Sequence, residues 1–249
     1  MPHILLLGGT TEASALARLL AARGIPATLS FAGRTAHPKP QPIPTRSGGF
    51  GGVDGLADWL VAHHVTHLVD ATHPFAARIS ANAVHAAART ATPLIALTRP
   101  PWTPAAGDDW RTVPDRDAAV AVLAGPPRRV MLALGRMHVD AFAAQPQHDY
   151  LLRFVDPPAQ PPRLPRHHIV IDRGPFDAAG DRRLMDRHGI DLLVCKNAGG
   201  SGADAKLAAA RARGCPVLLI DRPVLPIRPE THDPQAVLDW IDHGAHRGV

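Results

Sequence analysis

The chain has 249 residues, 45% of them hydrophobic, which is room for one large or two small domains with cores of their own. Its 27 Lys and Arg against 22 Asp and Glu leave a net charge of +5, carried by arginine, since lysine occurs only at 39, 196 and 206. No apolar run approaches a membrane span, the start MPHILLLGG lacks the layout of a secretory signal, and neither an arginine-rich tail nor an RNP-like aromatic pattern is present. The expectation is therefore a cytoplasmic protein with no membrane or nucleic-acid partner.

ILLL (4–7) reads as a strand, and EASALARLLAARG (12–24) has helical spacing that stops at Gly24. ATLSFA (27–32) reads as a second strand. PKPQPIP (38–44) and GGFGG (48–52) are too irregular for a long element and read as a turn or flap over a site. DGLADWLVAHH (54–64) is a helix, THLVDA (66–71) a strand, AARISANAVHAAART (76–90) a helix and PLIALT (93–98) a strand. RPPWTPAAGDDW (99–110) breaks the alternation. It resumes with a helix at 115–124, a strand at 128–135, a short helix at 138–144 and strands at 150–155 and 167–172. A helix at 177–189, a strand at 190–196, a helix at 203–214, a strand at 216–221 and a helix at 233–244 complete it. Alternation at this pace predicts an α/β fold: two domains with doubly wound parallel sheets and a cofactor and substrate cleft between them. The expected division is 1–98, a linker at 99–114, and 115–249. Cys195 and Cys215 form no CxxC pair, and Cys195, inside a strand-like run, reads as core.

Three strings stand where strands give way to helices: GGTTEA (8–13), DATHPFA (70–76) and KNAGG (196–200). The C-terminal ends of parallel strands are where open α/β sheets bind ligands. GGTTEA occupies the position of a dinucleotide phosphate loop. Gly8 and Gly9 would let phosphate approach the backbone, Thr10 and Thr11 offer hydroxyls, and the helix start offers N–H groups. A tight turn capped by threonine is the plainer reading, and Glu12 is awkward beside phosphate. No acidic residue occurs between Glu12 and Asp54, where an NAD site usually carries one. Ser30 and Arg34 at the end of the second strand suit a 2′-phosphate instead, which points to NADP.

DATHPFA sets Asp70, Thr72 and His73 on a second rim, with Pro74 as the first helical residue. Thr72 either caps that helix or lines the nicotinamide side, and His73 could move a proton. KNAGG offers a point charge at Lys196, an amide at Asn197 and close backbone approach at Gly199 and Gly200, at a helix start. A glycine turn beside a surface lysine is the alternative. Arg136, in GRMH, and Arg153 could meet an anionic substrate.

Several chemistries are absent. Tyr150, the lone tyrosine, has no lysine four residues on, and there is no HExxH, zinc-spaced Cys/His set, G-x-S-x-G elbow or Walker A loop. No metal is expected.

Together, and in this order over the whole chain, GGTTEA, DATHPFA and KNAGG resemble the precorrin-6A reductase family of cobalamin biosynthesis. The resemblance implies two Rossmann-like domains and an NADPH-dependent reduction of the tetrapyrrole precorrin-6A, or its cobalt form, to precorrin-6B. Residue by residue, Gly9, Thr10, Thr11 and Glu12 match the first motif. Asp70, Thr72, His73, Pro74 and Phe75 match the second, and Lys196, Asn197, Gly199 and Gly200 the third. With Gly8, Ser30 and Arg34, these form the expected cofactor site, except that Lys196 joins Arg136 and Arg153 opposite the carboxylates of the macrocycle. His73 and Lys196 are the candidate proton donors, and positioning alone is the alternative source of rate for the hydride transfer. GGFGG matches no motif of the family. The expected state is a monomer. Two other readings stay open: a reductase of another large anionic conjugated substrate, and a non-catalytic NADP-binding regulator.

Overall fold

The computed structural model describes residues 2–33 and 39–245. In chain order its strands are β1 (Ile4–Leu7), β2 (Ala27–Phe31), β3 (Thr45–Ser47), β4 (His67–Asp70), β5 (Leu94–Leu97), β6 (Trp110–Val113), β7 (Arg129–Ala133), β8 (Asp149–Phe154), β9 (His167–Ile171), β10 (Leu192–Lys196), β11 (Val217–Ile220) and β12 (Glu230–Thr231). The helices are α1 (Thr11–Ala22), α2 (Val53–Ala62), α3 (Ala77–Thr90), α4 (Arg116–Val122), α5 (Ala178–Arg187), α6 (Ala205–Arg213) and α7 (Pro234–Ala245), with a 3₁₀ helix at Val139–Ala144.

The chain forms two compact units, Met1–Pro100 with Val224–Val249, and Pro101–Pro223. Each holds a six-stranded sheet in which all pairings are parallel: β3-β2-β1-β4-β5-β12 in the first and β9-β8-β7-β10-β11-β6 in the second. The first order is the doubly wound 3-2-1-4-5-6. The second repeats it from β7 to β11, but its sixth place is taken by β6, the strand that comes first in that unit; the direction of winding reverses beside β1 and beside β7.

In the first unit the central strands β1 and β4 are buried on both faces, and β1 alternates between two cores. Ile4 and Leu6 pack with Leu16, Ala17 and Leu20 of α1 and with Val237, Leu238 and Ile241 of α7. Leu5 and Leu7 pack with Leu56 and Leu60 of α2 and Ala83, Ala86 and Ala87 of α3. The buried positions of α1 (Ala13, Leu16, Ala17, Leu20) follow the spacing of a single helix face. In the second unit Leu193 and Cys195 of β10 pack with Met185, Leu207 and Ala210 beneath α5 and α6. Burial pushes the Cys195 thiol up to about 11, as befits a core residue.

This division differs from the expected one. The segment expected as linker contains β6, which extends the second sheet beside β11. Beyond Pro223 the chain returns to the first unit. There β12 bonds to the edge of β5, with Ala96 N–H donating to Pro229 O at 2.8 Å and Thr98 N–H to Thr231 O at 2.9 Å. The return buries the apolar stripe of α7 against α1, which would otherwise face water.

Three local readings change as well. The helix after DATHPFA starts at Ala77, so Pro74 shapes the preceding turn instead of opening the helix. The helix after KNAGG starts at Ala205, with residues 201–204 between it and Gly200. The Pro- and Gly-rich stretch contains the short strand β3.

Candidate functional site

At the end of β1, backbone geometry explains the paired glycines. A Cβ on Gly8 would lie 2.4 Å from Leu29 Cδ1 and 3.1 Å from Ala13 Cβ, so Gly8 lets α1 close onto the sheet. Gly9 has φ +117°, and a Cβ there would meet nothing within 4 Å. Its conformation calls for glycine and the space before it is open. Thr10 is the N-cap of α1: its Oγ1 accepts from Ala13 N–H at 3.1 Å and donates to Ala71 O at 2.8 Å. One hydroxyl thus caps the helix and ties the β1 rim to the β4 rim.

Glu12 would repel phosphate if left unpaired. Arg99 Nη1 sits 3.2 Å from its Oε2 and Thr11 Oγ1 donates to the same oxygen at 3.0 Å. Burial pushes the carboxyl up, but its own backbone amide, Arg99 and Thr11 outweigh this and hold it below the ordinary value. The ion pair removes the conflict that the sequence poses at this loop.

On the β4 rim, Asp70 is turned inward. Its Oδ1 accepts from Thr72 N–H at 3.1 Å and Thr72 Oγ1 at 2.7 Å, forming an Asx turn. Its Oδ2 lies 3.2 Å from Arg228 Nη1, with both side chains under a tenth exposed. Neither that oxygen nor Arg228 Nη1 has a well-aligned hydrogen bond, so charge alone holds the pair. Asp70 builds the rim and Thr72, His73, Pro74 and Phe75 form its half-buried surface. Phe75 N–H donates to His73 Nδ1 at 3.2 Å, which leaves Nε2 to carry the proton of the neutral ring.

Ser30, at the end of β2, is buried and its Oγ accepts from Arg46 Nη1 at 2.7 Å. Arg34 lies outside the described residues. Arg46, Arg99 and Arg228 were not among the expected site residues, and each acts on one that was.

In the second unit the KNAGG loop is laced to its surroundings. Asn197 Oδ1 accepts from Trp102 N–H at 2.7 Å and its Nδ2 donates to Trp102 O at 3.2 Å. Trp102 Nε1 donates to Gly200 O at 2.7 Å, and Arg222 donates to the carbonyls of Asn197 and Ala198 at 3.0 Å each. Beneath it Lys206 is buried, with Nζ bonded to Ala203 O and 4.6 Å from the Trp102 ring. Burial pushes its ammonium down. The Asn197 amide is therefore committed to the chain itself. Gly199 and Gly200 have φ +71° and +70° and complete the loop, while Lys196 is half-buried at its start.

Arg136 and Arg153 separate. Arg136 is exposed on the rim after β7, beside Gly135 (φ +77°) and the exposed Met137. Arg153 is 8% exposed, ion-paired with the buried Asp181 and stacked 3.9 Å from the Phe176 ring centroid. Its charge serves the interior. Asp181 also lines a cavity of about 360 Å³ with Phe176, Arg183 and Leu184, to which none of the three motifs contributes.

The two switch points are chemically unequal. After β1 comes the twelve-residue helix α1, whose start supplies N–H groups and a favourable dipole to a phosphate. After β7 comes the 3₁₀ helix of six residues. A dinucleotide phosphate therefore fits the first unit. Among the described residues no group of three His, Cys, Asp or Glu side chains could hold a metal ion, and no helix is long and apolar enough to cross a membrane.

Fold and rims define a two-unit α/β protein of the Rossmann-like class. The family model described as precorrin-6x reductase CbiJ/CobK matches residues 3–242, and the chain belongs to that family. It is 55% identical to the precorrin-6A reductase of Rhodobacter capsulatus over the whole of both chains. It is 47% identical to that of Rhodococcus erythropolis over 97% of this chain and 98% of the relative. Identity with the cobalt-precorrin-6A reductase of Priestia megaterium is 32%, covering 88% and 90%. A solved structure of CobK precorrin-6A reductase superposes with a TM-score of 0.93 at 54% identity, covering 98% of this chain and 97% of the other.

Proposed function

We propose that this chain reduces precorrin-6A to precorrin-6B in cobalamin biosynthesis, with NADPH bound at the first unit. The observation that carries the reading is the 55% identity with the Rhodobacter capsulatus precorrin-6A reductase along the entire length. Identity with the cobalt-precorrin-6A enzyme of Priestia megaterium is lower, at 32%, which favours the metal-free macrocycle.

When bound, NADPH supplies a hydride to one carbon of the conjugated macrocycle and leaves as NADP⁺; one proton completes the addition of two hydrogens. The protein's share is binding and orientation, which can account for much of the barrier reduction. The open backbone at Gly9 and the amides at the start of α1 receive the pyrophosphate. Arg99 keeps the Glu12 charge from opposing it. Thr72, His73, Pro74 and Phe75 line the nicotinamide side. His73 Nε2 is the candidate proton-bearing atom, since Nδ1 is occupied by Phe75 N–H, and Lys196 is the second candidate. Arg136 and Lys196 meet the carboxylates of the macrocycle, while Arg153 is engaged in its buried pair with Asp181. In this reading the enzyme is a cytoplasmic monomer.

The test is the absorbance of NADPH during incubation with precorrin-6A, run beside NADH and beside cobalt-precorrin-6A. Rapid oxidation with NADPH and the metal-free macrocycle is expected. No oxidation with either nucleotide and either macrocycle, in folded protein, overturns the reading. If His73 donates the proton, His73→Ala lowers kcat by about 100-fold or more while the Kd for NADPH barely moves.

A further inference from the structure

The ends of β2 and β3 meet around one cation. Arg46 stands opposite Ser30 in the parallel register of the two strands. Its Nη1 donates to Ser30 Oγ at 2.7 Å and to Gly48 O at 3.1 Å, and its Nη2 donates to Gly49 O at 3.1 Å. The Phe50 ring centroid lies 4.0 Å from Cζ. The loop at 48–52 can wind this tightly because Gly48, Gly51 and Gly52 take φ of +114°, +83° and +100°. It is then pressed against α2, where a Cβ on Gly55 would fall 1.7 Å from Phe50 O.

All of these partners are neutral. Among the described residues no carboxylate offsets the charge, and burial alone acts on the guanidinium, pushing its pKa down. A partly desolvated cation without a counter-charge is unfavourable, and an anion settling beside it would recover that cost. Nε and one Nη2 hydrogen remain without a partner among the described residues. Neighbouring guanidinium donors of this kind match the oxygens of a phosphate.

The position supplies the identity of the anion. In doubly wound folds the end of the strand beside the phosphate loop lies at the adenosine ribose, which NAD sites read with an acid and NADP sites with an arginine. Here β2 is that strand, and Ser30 and Arg46 meet at its end. We infer that Arg46, seated on Ser30 and wrapped by the 48–52 loop, binds the 2′-phosphate of the nucleotide and sets the preference for NADPH over NADH. The inference rests on the NADPH reading and assigns its selectivity to a side chain and a loop.

Calorimetric titration with 2′,5′-ADP and with ordinary 5′-ADP, neither of which carries nicotinamide, separates the two claims. The parent protein should bind 2′,5′-ADP more tightly than 5′-ADP. Arg46→Gln should weaken 2′,5′-ADP by about tenfold or more and alter 5′-ADP by less than about twofold. Arg46→Lys retains the charge but not the paired donors, so it should fall between and serves if the glutamine variant does not fold. Parent-like selectivity in the variants overturns the assignment to Arg46 while NADPH use stands. Equal loss of both ligands makes Arg46 a scaffold of the loop and also overturns it. A parent protein that binds both ligands equally removes the NADPH reading itself.

Discussion

A carboxylate in the first turn of a helix proposed to receive a phosphate works only if its charge is answered, and at Glu12 the answer is Arg99, 87 residues along the chain. The pair also couples stability to pH. Burial raises the Glu12 pKa, but its own amide, Arg99 and Thr11 outweigh burial and bring it below the ordinary 4.5. Because the folded value is the lower one, the unfolded chain takes up this proton first as pH falls. The contribution is complete at neutral pH, begins to fade near 4.5 and is lost as pH passes through the folded value. Urea midpoints measured from pH 6 to pH 3 should therefore fall more steeply in the parent than in Glu12→Gln; parallel curves would show that Glu12 is not coupled to folding. Glycines and threonines of the motifs were legible in the sequence because their work is local: Gly9 needs only its own φ, and Thr10 reaches three residues ahead to Ala13. Arg46, Arg99 and Arg228 were not legible. Their meaning lies in partners brought together by the sheet, and a chain rich in arginine offers no way to single them out.

Elements with strong periodicity were readable for the same reason. The apolar stripe of α1 and the buried runs of β1 and β10 declare themselves within a few residues. β3 is three residues long and largely exposed, and β12 is two residues long, so neither carries a pattern to detect. The loop after β10 carries ties that its own sequence does not announce. Its asparagine looked like a ligand donor, yet both ends of the Asn197 amide clasp the backbone of Trp102. Asn197 is 7% exposed, so Asn197→Ala would strand a poorly hydrated peptide group and should cost about 1–3 kcal/mol in urea unfolding. A direct cofactor role for the amide would instead show as a large rise in the Kd for NADPH with stability preserved, and that outcome would reverse the assignment.

At the scale of the molecule, the two units each complete their sheet with a strand from beyond a crossing of the chain. After β5 the chain passes at Pro100 into the second unit, where β6 becomes its edge strand. After β11 it passes back at Pro223, and β12 becomes the edge strand of the first. No run of strong periodicity marks this exchange, because it depends on which sheet edge a short segment joins. Its consequence is asymmetric. Residues 101–223 are continuous and contain every strand of the second sheet, so this fragment should fold alone and unfold cooperatively in urea. Residues 1–100 lack β12, Arg228 and the fully buried Val237, Leu238 and Ile241. Burial of three such side chains is worth about 5–8 kcal/mol, as much as many domains have in total. The fragment 1–100 should therefore show no cooperative transition by circular dichroism, and addition of a 224–249 peptide should restore one. A cooperative transition in 1–100 alone would mean that the returning segment decorates the first unit without being needed to build it. Asp70, turned inward to meet Arg228, argues for the opposite: the rim that carries His73 is assembled only when the chain has come back.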